Sequence, residues 1–446
     1  MLEKGQIIEL SIDGFTINGD GVGRYDEQVI FVASALPGEK VKVQINEIKP
    51  RYARADILEL LESSKSRREP FCPLSVDCGG CSLQHIDYWE QLQLKQGIIA
   101  DALRRIGGID IEVNPVIAAD QPFNYRNRAQ IHCRFSSFNK SIGFFRNRSN
   151  QVIDSENCLI LMPILNDAAA LLRTILPAYA EKLFALRHVA LHCDTKGSRL
   201  MLVFVTERHL PELEQIAAKL INTDKRIVSI WENFGLPVYG IFGIKWRHIC
   251  GVEKLEDKFG NNSIAFSPGS FTQINPQQMI KMYKYIADLA DLSGNETVLD
   301  IYSGTGSIGL LLARNAARVI CIENFAAASQ DAQANAHRNN IGNCRFLIGE
   351  AERLLPELVA QRIAADLIVL DPPRSGCEAA VVEAAAATKA AKIIYVSCDP
   401  ATLARDLRLF TAHGYQTISV QPFDMFPQTT NVESVVMLKR GKSIDK

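Results

Sequence analysis

From about residue 266 to the end, runs rich in β-branched residues alternate with stretches of helical spacing: TVLDIY, RVICIE, CRFLIG, LIVLD and IIYVSC. This alternation constrains the fold more than any other feature of the chain. Parallel strands need long crossovers, and helices of this length supply them, so the pattern predicts a doubly wound, Rossmann-like α/β sheet buried on both faces. Ligands of such sheets bind beyond the carboxyl ends of the strands. The residues just after each run are therefore the candidates for chemistry.

After the first run comes VLDIYSGTGSIGL, a strand, a glycine turn and the start of a helix. Gly304, Gly306 and Gly309 complete a G-x-G-x-x-G spacing, which by itself is equally the mark of a tight strand-to-helix turn. Glu323 ends the next run and is placed to accept hydrogen bonds from ribose hydroxyls. NAD and S-adenosylmethionine both present that ribose, and spacing does not separate them. The loop DPPRSG, beginning at Asp371, leans toward S-adenosylmethionine. Enzymes that methylate exocyclic amines carry an aromatic residue where this chain has Arg374, so stacking on a planar amine is not favoured here.

The acceptor must then be activated in another way. The run IIYVSC stops at Cys398, and Asp399 and Pro400 follow at once. A free cysteine is most often a small buried hydrophobe, but Asp-Pro fits a core poorly. Uracil C5 is a weak nucleophile until a thiolate adds to C6, and a base must later remove the C5 proton. Cys398 fits the first task. Glu433, just before the final strand-like run, fits the second.

Upstream, 446 residues are too many for a single core. Residues 1–62 show short alternating runs between Gly- and Pro-rich turns, which predicts a small all-β barrel. ESSKSRREP reads as a linker. Residues 71–265 mix strand-like and helical runs and are expected to form an α+β domain. Residues 266–446 form the α/β domain, against which a helix near 88–108 is placed to pack. The glycine pair at 107–108 suits that helix's C-terminus. A net charge of −1 speaks against a chain that is basic throughout, so a nucleic-acid partner would meet a local patch. With no signal-peptide pattern and no apolar run of ~18 residues, a cytoplasmic location is expected. Eleven cysteines in that setting are fillers or reactive groups rather than a disulfide framework.

DIYSGTGSIGL, DPPRSG, YVSCDPATLARDL and DMFPQTTNVESVV together resemble the RNA 5-methyluridine methyltransferases (the RumA/TrmA family). The resemblance implies S-adenosylmethionine as cofactor. It implies Cys398 as nucleophile and Glu433 as base, with Gln273, Tyr302, Ser307, Glu323, Glu350 and Asp371 around the cofactor. Residues 1–62, notably GDGVGR and ALPGEKV, look like a TRAM domain, an RNA-binding barrel. Cys72, Cys78 and Cys81, in CPLSVDCGGC, with Cys158 resemble the four-cysteine [4Fe-4S] site of the branch that methylates 23S ribosomal RNA. An all-cysteine zinc site is the rival, although zinc more often takes paired C-x2-C knuckles. Two departures stand out: Asn431 where many members have histidine, and Ser303 where cysteine is common.

Residues 121–153 carry six basic residues and no acid, interleaved with Phe123, Tyr125, Phe135, Phe138, Phe144 and Phe145. That mixture suits phosphates and unpaired bases, although some of these rings are expected in the core. The resemblance therefore implies a monomer that methylates a flipped uridine of 23S ribosomal RNA. The rivals are the same reaction on transfer RNA, whose branch typically lacks the barrel and the cysteines, and a TRAM-bearing radical enzyme, whose C-x3-C-x2-C loop is missing.

Overall fold

Five strands, β1 (Ile7–Phe15), β2 (Asp20–Tyr25), β3 (Gln28–Ala33), β4 (Lys40–Ile48) and β5 (Tyr52–Glu62), close into a barrel in the order β1-β2-β3-β5-β4. Alternation builds it: Ile8, Leu10 and Ile12 point inward with Val41, Val43, Ile30 and Val32, while the residues between them face out. The computed structural model describes residues 2–135 and 140–441 of the chain.

Helix α1 (Tyr88–Ala102) follows, with Asp87 accepting from the Trp89 N–H at 2.9 Å. A wider turn through Leu103–Gly107 continues it, and Gly108 ends it in the left-handed conformation at φ 64°. Ile99 and Leu103 are buried in the core of the C-terminal domain, which the helix joins across a long stretch of sequence.

The middle of the chain is a seven-stranded sheet of β6 (Arg128–Phe135), β7 (Lys140–Phe145), β8 (Val152–Asp154), β9 (Leu186–Cys193), β10 (Leu200–Thr206), β11 (Ile227–Tyr239) and β12 (Phe242–Gly251). Their order is β12-β11-β10-β9-β6-β7-β8, and only β10 and β11 run parallel. Helices α2 (Pro163–Ile175) and α3 (Leu213–Thr223) cover one face through Leu165, Leu172, Ile216 and Leu220. On the other face Val203 and Val205 meet Leu255 and Phe266 of a hairpin, β13 (Leu255–Phe259) and β14 (Asn262–Phe266). The hairpin also meets Leu310 and Ala336, so it joins the middle sheet to the C-terminal domain.

The C-terminal sheet holds β15 (Thr297–Ile301), β16 (Arg318–Glu323), β17 (Cys344–Ile348), β18 (Leu367–Leu370), β19 (Lys392–Ser397), β20 (Tyr415–Phe423) and β21 (Glu433–Arg440). Helices α4 (Pro276–Ala290), α5 (Ser307–Ala313), α6 (Ala326–Arg338), α7 (Ala351–Ala360), α8 (Ala379–Ala387) and α9 (Pro400–Ala412) flank it. The strand order is β17-β16-β15-β18-β19-β21-β20. It reverses direction between β15 and β18, which opens a crevice at their carboxyl ends. The alternation predicts a parallel sheet, but the observed sheet is not parallel throughout. β21 runs antiparallel between β19 and β20. No crossover helix separates β20 from β21, only residues 424–432, and a short connection allows antiparallel pairing alone.

Candidate active site

The turn after β15 takes a path few residues tolerate. Tyr302, Gly304 and Gly306 all have positive φ, and a Cβ on Gly306 would lie 2.9 Å from that of Ala332. Gly309 serves packing instead, because a Cβ there would lie 2.7 Å from Asp300 Oδ2. Glu323 ends β16 beside this turn. Its Oε2 accepts from the Gly304 N–H at 2.8 Å and its Oε1 from the Phe325 N–H at 2.7 Å. The carboxylate therefore shapes the turn as well as facing the crevice.

The crevice is a cavity of about 610 Å³, whose wall includes Gln273, Tyr302, Ser307, Glu323, Asp371, Cys398 and Glu433. Residues remote in sequence thus meet on one surface. Glu350 departs from the expectation. It is exposed at the start of α7 and is not part of the wall, whereas Glu352, two residues on, is. Half a helical turn separates the two side chains, and only that of Glu352 turns inward, where it accepts from the Tyr302 hydroxyl at 3.3 Å.

Cys398 and Glu433 come together through strand register. Ser397 pairs with Ser434 across the antiparallel β19 and β21, so Cys398, which follows Ser397, and Glu433, which precedes Ser434, lie across from each other at the rim. The Asp-Pro after the cysteine has a local reason. Asp399 Oδ1 accepts from the N–H groups of Ala401 and Thr402 at 3.0 and 2.9 Å, and Pro400 opens α9. A strand end followed at once by a helix cap holds the thiol at the lip of the sheet.

Burial controls the charge of this site. It pushes the Cys398 thiol up to about 12, aided by the Glu433 carboxyl and opposed by the Arg374 guanidinium. Burial, then Asp371, holds Glu433 well above the usual carboxylate range, again against Arg374. Arg374 reaches Asn431 Oδ1 at 3.5 Å. Asp371 is pushed up to about 7 by burial, and Asp300 to about 8 by burial and then by Asp371. Asp300 also lines the cavity, and neither of its carboxyl oxygens has a full hydrogen-bond partner, although the nearby Gly309 N–H opposes the rise in its pKa. It was absent from the expected set. An acid inside the apolar run VLDIY is the signal that could have found it.

Cys72, Cys78, Cys81 and Cys158 line a second cavity, of about 200 Å³, with Gln84, Arg126 and His132. All four are free thiols. Among the described residues, no group of three or more His, Cys, Asp or Glu side chains is arranged to hold a metal ion.

The basic stretch divides in two. Arg128 donates to Ser270 O at 3.2 Å and Pro268 O at 3.5 Å, and burial lowers its pKa to about 10. Arg126 donates to Arg128 O at 2.8 Å, and Arg146 pairs with Asp77. These arginines tie the chain together; Arg134, Lys140 and Arg148 are exposed, although Arg134 donates to Arg187 O at 3.4 Å and Arg148 pairs with Asp20 at 3.5 Å. Tyr125 and Phe135 are buried, as the core reading expects, and Phe145 stacks on His132 at 3.6 Å. Phe138 lies outside the described residues.

A glycine turn, an acid at the second strand and a crevice at the strand reversal define a nucleotide-cofactor site of a doubly wound sheet, joined here to a small barrel. The model of the tRNA (uracil-5-)-methyltransferase family matches residues 252–441, and that of the TRAM domain matches residues 2–58. An uncharacterized RNA methyltransferase of Clostridium tetani is 37% identical over 446 residues, covering 98% of this chain and 97% of that protein. Another, from Halalkalibacterium halodurans, is 37% identical and covers 98% of both chains. The solved tRNA (uracil-54, C5)-methyltransferase of Pyrococcus abyssi, in complex with S-adenosyl-L-homocysteine, shares the fold with a TM-score of 0.75. It is 24% identical, covering 96% of this chain and 99% of that one. The chain belongs to the S-adenosylmethionine-dependent RNA (uracil-5-)-methyltransferase family. Among the described residues, no helix is long and apolar enough to cross a membrane.

Proposed function

We propose that the protein methylates C5 of a uridine in 23S ribosomal RNA, with Cys398 as nucleophile and Glu433 as base. The observation that carries this reading is the meeting of Cys398 and Glu433 at the rim of β19 and β21, on the wall of the cavity that holds the glycine turn. Gln273, Tyr302, Ser307, Glu323 and Asp371 surround the cofactor, and Glu352 takes the place expected of Glu350. Asp300, with two unpartnered oxygens, meets its positively charged end.

Bound S-adenosylmethionine supplies an electrophilic methyl group and a positive charge. In the free protein the high thiol pKa keeps Cys398 protonated and unreactive toward adventitious electrophiles. Arg374 is the protein cation that favours the ionised forms of both Cys398 and Glu433. Cys398 gives up its thiol proton to solvent as Sγ bonds to C6 of the flipped uracil, and the electron pair of the C5–C6 bond passes into the ring as an enolate. C5 then takes the methyl group. Glu433 removes the C5 proton, the C5–C6 double bond re-forms and the Cys398 thiolate leaves.

We read the second cavity as the site of a [4Fe-4S] cluster, because four cysteine thiols line it together and four thiolates suit such a cluster. Cys72, Cys78, Cys81 and Cys158 would hold it. The four cysteines favour ribosomal over transfer RNA, whereas the barrel does not separate the two, since the transfer-RNA enzyme's structure covers 96% of this chain; we take the protein to act as a cytoplasmic monomer.

Cys398→Ala should abolish methylation and leave S-adenosylmethionine binding intact. RNA with 5-fluorouridine at the target should trap a covalent methylated adduct on the wild-type enzyme. Glu433→Gln should transfer the methyl group and stall, leaving a denaturant-resistant band on ordinary RNA. A Cys398→Ala enzyme that still makes 5-methyluridine sinks the mechanism. Mapping 5-methyluridine in ribosomal and transfer RNA of a deletion strain decides the substrate.

A further inference from the structure

Residues 424–432 connect β20 to Glu433, the first residue of β21. Phe426 and Glu433 both line the cofactor cavity. Between them, Gln428 has a φ of +68°, a left-handed conformation that a residue with a Cβ adopts only when its surroundings impose it. The surroundings that impose it come from the far end of the chain. Gln428 O accepts from the N–H groups of Ser82 and Leu83, both at 3.0 Å. Gln428 N–H donates to Gln91 Oε1 at 3.2 Å, and Gln91 Nε2 donates back to Gln428 Oε1 at 3.0 Å. Thr430 N–H donates to Ser82 Oγ at 3.2 Å. Gln91 is itself buried, and its amide also donates to Leu83 O and Ile86 O, both at 3.0 Å.

Ser82 follows Cys81 directly, and Gln84 accepts from the Cys72 N–H at 3.0 Å. Residues 81–84 therefore face two ways. Cys81 and Gln84 look into the cysteine cavity, while Ser82 and Leu83 grip the loop that leads to Glu433. Tyr125 adds a second grip by donating from its hydroxyl to Pro427 O at 3.0 Å.

We propose that Ser82, Gln91 and Gln428 are positioning residues for Glu433, and that through them the contents of the four-cysteine cavity govern the step that releases the product. The proposal rests on the reading of Glu433 as the base. When the cavity is filled, residues 81–84 are anchored at Cys81, the strained turn at Gln428 is enforced, and Glu433 faces C5. When it is empty, the segment loosens, Gln428 relaxes from positive φ, and the carboxyl loses its aim. Attack by Cys398 and cofactor binding come from other strands and are retained.

The decisive variant is Gln91→Leu, which keeps the side chain's bulk and removes its amide. Turnover should fall at least tenfold while KM for S-adenosylmethionine stays within twofold. The variant should also accumulate the denaturant-resistant adduct on ordinary RNA, a species that a merely misfolded enzyme does not form. In parallel, amide hydrogen exchange is followed in the full-length wild type and in Cys78→Ser. Exchange at Gln428 and Thr430 should speed up at least tenfold in the latter while β15 amides hold. If Cys78→Ser does not fold, β15 reports it, and the milder Ser82→Ala, expected to free Thr430 alone, takes its place. Wild-type turnover by Gln91→Leu, loss of its 5-fluorouridine adduct, or unchanged exchange at Gln428 and Thr430 overturns the proposal. If the wild type itself forms no 5-fluorouridine adduct, the Cys398–Glu433 reading has failed and the proposal falls with it, whatever the exchange data show.

Discussion

Asp300→Asn should make the cofactor-free protein more stable, and increasingly so as the pH rises. The Asp300 carboxyl is buried and its oxygens are unpartnered, and its pKa is raised from an ordinary 3.8 to about 8. Below 3.8 the folded and unfolded states both hold the proton, so there is no penalty. As the pH rises, the unfolded carboxyl ionises first while the folded one stays neutral until about 8. Wild-type stability therefore falls through that window. Between about pH 5 and pH 8, three units at ~1.4 kcal/mol each amount to about 4 kcal/mol. Asparagine does not titrate, so the variant escapes this fall. It incurs instead a constant cost of ~1–3 kcal/mol for a buried amide without partners. The variant should thus be near parity at pH 5 and ahead at pH 8, by about 10 °C in a thermal melt of a domain this size. On the proposal that this carboxyl meets the cofactor, the gain in stability should come with a loss of binding. S-adenosylmethionine at a hundred times Kd should stabilise the wild type by ~2.7 kcal/mol and the variant by nothing measurable. Urea or thermal unfolding at both pH values, with and without cofactor, reads all of this. A stability difference that does not change with pH would refute the reasoning, since it would mean that the carboxyl ionises freely in the folded protein.

Lys95 and Asp424 form a fully buried ion pair at 2.5 Å, joined by the Tyr88 hydroxyl at 2.7 Å from Asp424. Lys95→Met should cost ~3–5 kcal/mol in urea unfolding by stranding the carboxylate, and adding Asp424→Asn should recover much of that loss. Changing the exposed Arg134, Lys140 and Arg148 to glutamine should weaken RNA binding and flatten its salt dependence by up to about three units of slope. Arg128→Gln should lower stability instead, because its guanidinium holds the backbone at Pro268 and Ser270. Anaerobically purified protein should be brown and carry about four irons per chain, and Cys78→Ser should lose them. Stoichiometric zinc would overturn the cluster.

What the sequence determined by itself is what short-range chemistry encodes. Alternation at Ile8, Leu10 and Ile12 specifies a barrel strand, because neighbouring side chains of a strand must point to opposite faces. The glycine turn, and the placement of Cys398, Asp371 and Glu323 at strand ends, were legible for the same reason. In a doubly wound sheet, position along the chain dictates position on the rim. The tertiary structure decided matters that depend on which distant segments meet. Nothing local in RNRAQ distinguishes Arg128, buried against Ser270 O, from an arginine free for phosphate. Only docking of the hairpin and its following loop does so. Which of Glu350 and Glu352 faces the cavity turned on helix phase, which spacing in the sequence does not resolve at a cap. The insertion of β21 between β19 and β20 set Cys398 opposite Glu433, a register formed by hydrogen bonds between strands 35 residues apart. Asp300 and Gln91 carry the same lesson. A buried polar side chain is defined by what surrounds it, and those surroundings come together only when the chain has folded.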